Sequence, residues 1–274
     1  MAGVKFTASL AKGMKILEAF TPALPRMKLL EIAERTQLPK VTVFRLVRTL
    51  MTLGYIFYDS ASRTYSLTPR VLSLGFAALS SVELRDVALP HMQELSRVTD
   101  QNVNLGILDK TEVVYVETIK KKQPLRLSLE LHVGSTVNVY QTSIGRVFLA
   151  FMDPDRLAST VSELLKDPKV LYYIGEKGER LAPILEEIRR RGYALTDGDF
   201  VPGVRTIAAP VFDKRGDVEG AINMPVFAYV VSLERLTGEF AALLLKTAER
   251  ISTARGFSGA AKDAGPRSGL PMKA

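Results

Sequence analysis

The chain has no cysteine, only two histidines and no apolar run long enough to cross a bilayer. Without cysteine there are no disulfides, no thiol nucleophiles and no thiolate metal sites. His91 and His132 are too few for a histidine-rich metal centre, so neither a metal nor any other cofactor is expected. A transmembrane helix needs about 20 consecutive apolar residues, so no membrane span is expected. The opening MAGVKFTASLAKGMKILEAF spreads its lysines along the segment and does not read as a signal peptide. A cytoplasmic protein is expected. Gly-x-Ser-x-Gly, a phosphate loop and a dinucleotide glycine motif are also missing, and neither histidine sits beside a nucleophile pattern. No enzyme is expected. What is present is 274 residues with 47% hydrophobic and 24% charged composition. That is ordinary globular material, enough for one large domain or two small ones.

The net charge of +8 is not evenly spread: residues 1–80 carry +7, residues 81–257 carry −1 and residues 258–274 carry +2. A small basic module attached to a larger neutral domain points to a polyanionic partner. The tail from 258, rich in Gly, Ala and Pro, reads as disordered.

The basic module has a three-helix pattern. Ser9 is placed to cap a helix whose apolar positions are Leu10, Met14, Leu17 and Phe20. A second helix is expected over about Lys28 to Arg35, interrupted by Thr36-Gln37-Leu38-Pro39. A third runs from about Lys40 to Leu53 with Val43, Leu46, Val47 and Leu50 on one face. Two short helices around a four-residue break match the helix-turn-helix arrangement, in which the last helix enters the major groove. Its outward side carries Lys40, Val41, Thr42, Arg45 and Arg48. Arginine can hydrogen-bond guanine O6 and N7, and valine methyls can touch thymine. Two β-prone runs, Tyr55–Tyr58 and Thr64–Leu67, flank Asp59–Arg63 and make a wing. Arg63 at its tip is placed to meet a phosphate or the minor groove. Each arginine alone reads equally as a solvated surface charge; together with helix, turn and wing they point to double-stranded DNA.

These residues stand in a familiar order. Ser9-Leu10, Gly13, Ile16–Phe20, then Leu30-x-Ile32-Ala33, then Leu38-Pro39-Lys40-x-Thr42-Val43-x-Arg45-Leu46, Thr49-Leu50 and Gly54-Tyr55 resemble the isocitrate-lyase-regulator (IclR) family. The resemblance continues through Tyr65-x-Leu67-x-Pro69, Thr142-Ser143-Ile144-Gly145-Arg146 and Gly203–Val211, to about Phe257. The Thr-Ser-x-Gly-Arg form, with Arg205-Thr206-Ile207 and Asn223, is similar to the branch holding regulators of the protocatechuate, 4-hydroxybenzoate and β-ketoadipate pathways. The chain has Asn138-Val139-Tyr140 where the family commonly has Pro-Leu-His, Asp199 where it often has Glu, and Thr206 where it often has Cys.

The resemblance implies an α+β fold: a winged helix-turn-helix over 1–68, a linker helix over 69–83 and a GAF-like effector-binding domain over 84–257. It also implies a homodimer or a dimer of dimers. From the residues themselves, Pro69 begins a helix whose stripe Val71, Leu72, Leu74, Gly75, Ala78 and Leu79 is too apolar for a free linker. Helices are expected over 84–98, 142–151 and 181–191. Hairpins are expected at Val103–Val116 and Arg205–Val226, with a strand at Leu125–Leu131 and a closing helix through Leu233, Leu236, Phe240, Leu243, Leu244 and Ile251.

An effector pocket is expected where the sheet meets the helix beginning at Thr142-Ser143, whose free N–H groups suit a carboxylate. Arg126 and Arg146 are candidate ion partners, since arginine can hold a carboxylate through two parallel hydrogen bonds. Tyr140 is placed to stack on a ring, Thr206 and Asn223 to hydrogen-bond a phenol or keto group, and Asp199 to line the site. Thr142 reads equally as a helix cap, and Arg146 and Arg205 as structural ion-pair residues. The function expected is a ligand-responsive DNA-binding regulator of catabolic genes for a small aromatic or organic acid. The alternatives are a small-molecule enzyme with a DNA-binding appendage, which turnover of a ligand would reveal, and a purely architectural protein.

Overall fold

The computed structural model describes residues 6–121 and 131–259. The chain separates into two compact units with the boundary between Ser81 and Val82.

The first unit packs helices α1 (Ala8–Glu18), α2 (Leu29–Thr36) and α3 (Lys40–Thr52) around Ile16, Phe20, Met27, Ile32, Val43 and Val47. The break between α2 and α3 works as the sequence suggests. Gln37 takes a left-handed conformation at φ 56°, and Pro39 sets the entry to α3. The first helix differs from expectation. It starts two residues earlier, Thr7 stands at its N-cap, and Ser9 lies inside it. Its buried side is Ile16, Ala19 and Phe20, while Leu10 and Met14 stay exposed. The apolar spacing of α1 thus serves two faces, and only one of them meets the core.

Strands β1 (Arg26–Met27), β2 (Ile56–Asp59) and β3 (Thr64–Leu67) form a sheet in the order β1-β3-β2. The β2–β3 hairpin is the expected wing; β1, two residues long, has no periodicity to betray it. Helix α4 (Arg70–Ser80) follows with Pro69 at its N-cap, and none of its residues is buried within the chain.

The second unit holds a six-stranded sheet in the order β6-β5-β4-β9-β8-β7, antiparallel throughout. After α5 (Glu83–Thr99) come β4 (Val103–Asp109), β5 (Glu112–Ile119), β6 (Thr136–Asn138), α6 (Ser143–Phe151), α7 (Pro154–Leu164), α8 (Pro168–Ile174) and α9 (Leu181–Arg191). Then follow β7 (Ala194–Asp197), β8 (Val204–Phe212), β9 (Val218–Phe227) and a closing helical stretch. That stretch begins at α10 (Leu233–Arg235), passes through a π-helical turn at Leu236–Phe240 and continues as α11 (Ala241–Ala254). Leu236, Phe240, Leu244 and Ile251 are buried as expected, but Leu233 is exposed at the frayed start. The unit is α+β, as expected.

The short elements β6, β7 and α8 escaped the sequence reading, and so did the 11-residue α7. The two helices do carry a local signal, an aspartate cap followed by proline in the first turn (Asp153-Pro154 and Asp167-Pro168). Arg126 and the strand expected over 125–131 lie outside the described residues, except Leu131, which packs against the core without joining a strand. The tail from 260 onward also lies outside them.

Helix α6 is buried against one sheet face together with α9, contacting Val113, Tyr115, Ala208 and Ala221. The alternate side chains, Leu105, Ile222 and Met224, turn to the other face, where Gly220 meets Leu84 of α5. Two glycines let α6 sit this close. A Cβ on Gly106 would lie 2.8 Å from Ile144 Cδ1, and a Cβ on Gly145 would lie 2.2 Å from Val139 Cα. The second collision is with backbone, which cannot rotate away. Gly145→Ala should therefore cost about 1–3 kcal/mol, read as a lowered urea midpoint of the larger unit. An unchanged midpoint would show that α6 has slack in its seat.

Candidate functional site

Two surfaces are candidates for the functional chemistry. The first is the outer face of α3. Burial of Val43, Val47 and Leu50 at positions i, i+4 and i+7 turns Lys40, Val41, Phe44, Arg45 and Arg48 to solvent, with Thr42 half-buried. Val41 is 73% and Phe44 44% exposed, so the face sets apolar groups among its charges. The Arg48 guanidinium lies 5.7 Å over the Phe44 ring, which braces it one turn along the helix. The sequence reading missed Phe44, an exposed aromatic on the basic face. Arg63 is exposed at the wing tip with φ 55°. The tip is tied by the Asp59 carboxylate, which accepts from Ala61 N–H (2.9 Å) and the Ser62 hydroxyl (2.8 Å). Those bonds, the hydroxyl's first, hold the Asp59 carboxyl below its ordinary pKa. Among the described residues, Arg45, Arg48 and Arg63 have no carboxylate partner, so their charge is free for a polyanion.

The second surface is the N-terminal end of α6. The C-terminal residues of this helix, Phe151 and Met152, border a cleft with Leu108 and Val218, at the end of β4 and the start of β9. The N-terminus therefore lies toward the start of β4 and the end of β9. Thr142 is the N-cap: its hydroxyl accepts from Gly145 N–H at 3.2 Å and donates to Asn138 O at 2.6 Å. Its reading as a cap is sufficient by itself. Ser143 is 1% exposed, and its Oγ has no hydrogen-bond partner. A buried hydroxyl left unpaired costs free energy, so it marks a place where a further polar group is wanted.

Arg146 is already engaged. It forms a 2.7 Å ion pair with Asp199 and donates from Nε to Tyr140 O at 2.9 Å. Two of the expected site residues thus satisfy each other. Arg205 is likewise held by Asp197 at 2.9 Å and by the carbonyls of Ala228 and Val231. Tyr140 stacks at a tilt on Tyr173, ring centroids 5.5 Å apart. Partial burial, then the nearby Asp167 charge, raises its phenol pKa.

Asn223 is buried in the sheet. Its Oδ1 accepts from Asn104 Nδ2 at 3.0 Å and its Nδ2 donates to the Tyr115 hydroxyl at 3.3 Å. Burial pushes the Tyr115 phenol pKa up, so it stays protonated. Thr118, Asn104, Asn223 and Ala208 pair across β5, β4, β9 and β8 and therefore share the α6 face. Thr118 Oγ1 is a second buried hydroxyl oxygen without a partner. Thr206, half-buried, pairs across the sheet with Thr196 and shares the face of Ala208 two residues on. Sequence alone did not single out Asn104, Tyr115 or Thr118, because only strand register brings them beside Asn223. The resulting patch is a polar floor beside a helix N-terminus with two unmatched hydroxyls. It offers binding groups but no nucleophile paired with a base.

Comparison with known proteins places both units. The IclR helix-turn-helix domain model matches residues 9–60, and the model of the bacterial transcriptional regulator IclR C-terminal matches residues 76–253. The chain is 31% identical to the Pca regulon regulatory protein of Pseudomonas putida over 249 residues, covering 88% of this chain and 81% of that one. It is 34% identical to the HTH-type transcriptional regulator KdgR of Escherichia coli over 227 residues, covering 83% and 85%. It is 29% identical to the p-hydroxybenzoate hydroxylase transcriptional activator of Acinetobacter baylyi over 249 residues, covering 90% and 91%.

Proposed function

The chain belongs to the IclR family of bacterial transcriptional regulators, as a ligand-responsive DNA-binding regulator and not an enzyme, and from that premise we propose which residues read DNA and which hold the effector. Helix α3 is the reading helix. Lys40 and Arg48 contact phosphates, Val41 and Thr42 touch bases, Arg45 reads a guanine, and Arg63 on the wing reaches the backbone or the minor groove. The observation that supports this is the set of unpaired arginines on one exposed helix face beside an exposed valine. A DNA-binding regulator works in the cytoplasm, where its operator lies.

The second element of the proposal is a homodimer, itself able to pair into a dimer of dimers. Leu72, Leu74 and Phe76 on α4 are more than half exposed, as are Phe6 and Leu10 at the start of the chain. Apolar surface of this kind calls for a partner. A second copy brings a two-fold axis, and hence a pseudo-palindromic operator.

The third element is an effector carboxylate at the N-terminus of α6. Ser143 Oγ and the free N–H groups of the first turn meet the carboxylate, and Tyr140 stacks on a ring. Thr206 and the Asn223 network meet a hydroxyl or keto group, and Arg126 serves as a counter-ion. Arg146 acts through its bond to Asp199, fixing the loop rather than gripping the ligand. The buried, unpartnered Ser143 Oγ supports this location most directly. The relative named for p-hydroxybenzoate hydroxylase favours an aromatic acid.

Three outcomes follow. Arg45→Ala should lose about 1–3 kcal/mol of binding to the specific operator, with a smaller change on random duplex; equal gel-shift affinity for the operator would remove α3 as the reader. Sedimentation at micromolar concentration should give a dimer or larger, and a folded monomer would refute the assembly. Calorimetry with protocatechuate, 4-hydroxybenzoate and β-ketoadipate should find a ligand whose affinity drops in Arg126→Ala and Ser143→Pro. Binding only of a sugar or an uncharged compound would refute the carboxylate, and unchanged affinity in both variants would move the pocket elsewhere.

A further inference from the structure

The cleft at the opposite end of α6 has its own chemistry. It measures about 700 Å³, within the size range of small-molecule pockets. Its apolar wall is built from Leu108, Phe148, Phe151, Met152 and Val218. The Phe151 ring is fixed edge-on against Phe212, centroids 5.6 Å apart, so the wall is preformed.

Five carboxylates border the same cleft, and each is already engaged. Arg255 grips Glu219 through two bonds of 2.8 and 2.9 Å and reaches Glu83 at 3.1 Å. Asp213 accepts from the Arg215 side chain and from the backbone N–H groups of Arg215 and Asp217. Asp217 lies 3.6 Å from the same arginine. Asp153 caps α7, accepting from Asp155 N–H at 2.9 Å. Two cations on the rim remain: Arg156 and Lys214 are exposed and, among the described residues, have no hydrogen bond or ion pair. A molecule entering the cleft therefore meets a greasy wall and two cations without a partner, while each carboxylate already has an arginine or a backbone N–H beside it.

We propose that this cleft is a second small-molecule site, separate from the effector site, for an amphipathic anion. Its apolar body packs on Phe151, Leu108 and Val218, and its carboxylate or sulfonate head bridges Arg156 and Lys214. The two sites lie at the two ends of one helix of nine residues, about 13 Å long. Because α6 has no room to shift independently at Gly145, a ligand at either end biases the same rigid element. Coupling between the two sites follows if the ligands differ in affinity for two positions of that element.

The absence of tryptophan from the chain makes the test clean. Leu108→Trp and Phe151→Trp, each in the full chain, place a single emitter in the wall of the cleft. Anilinonaphthalene sulfonate, an aromatic anion, is the probe. The expected result is saturable binding with energy transfer from the introduced tryptophan. Pairing Arg156→Ala with Lys214→Ala should weaken it about tenfold or more, as loss of hydrogen bonds to charged groups does. The proposal is overturned if the double alanine variant binds as tightly as the parent. It is equally overturned if an uncharged or amine-bearing naphthalene binds as well as the sulfonate. Failure of either tryptophan variant to fold leaves the other, and the alanine pair is scored by probe fluorescence alone.

Discussion

The close seating of α6 on the sheet is the constraint on which the larger unit depends. The helix presses Ile144, Val147 and Phe148 into the core, and all three are at most 2% exposed. It can do so because Gly106 beneath it carries no side chain, and Gly145 in its first turn leaves room for the backbone of Val139 in the turn that leads into it. Dense packing of this kind resists gradual deformation and favours discrete positions. A helix held between backbone on one side and sheet on the other is a suitable carrier for ligand state. A change at its N-terminus cannot be absorbed by slack in its own seat.

That constraint also explains the economy of the polar groups around the helix. Arg146 and Asp199 spend their charges on each other. Asn104, Asn223 and Tyr115 satisfy one another inside the sheet. What is left over is small: two hydroxyls and the first-turn N–H groups, in a patch otherwise satisfied. A sensor needs no more than this. It performs no bond chemistry and needs only a difference in ligand affinity between two states. The DNA module follows the opposite rule, with its arginines left unpaired on the surface, because its partner supplies the counter-charge.

Legibility in the sequence tracked the range of the interaction. Helix α3 was readable because Val43, Val47 and Leu50 encode its buried face locally, and the β8–β9 hairpin because its turn and alternation are contiguous. Helix α1 is half legible: of the apolar positions Leu10, Met14, Leu17 and Phe20, the last two meet the core and the first two stay exposed, since spacing alone does not say which apolar stripe faces inward. Strands β1, β6 and β7 are too short for any period to emerge. At the site, position was easier to read than role. Thr142 was legible as a helix start because capping is local. The Arg146–Asp199 pair joins residues far apart in the chain, so Arg146 reads equally as a ligand partner and as an ion-pair residue, and its partner is not legible. Thr118 stayed hidden because its place beside Asn104 is a matter of strand register. Phe44 was legible in principle, as an aromatic inside a basic helical face, and was passed over.

The most direct test of the account is amide hydrogen exchange on the full chain, free and bound to a duplex carrying the DNA upstream of its own gene. The account predicts new protection in the first turns of Lys40–Thr52 and in the wing tip at 59–63, lost on a scrambled duplex of equal length and salt. Specific binding that protects other segments and leaves both of these exchanging at the free rate would contradict it.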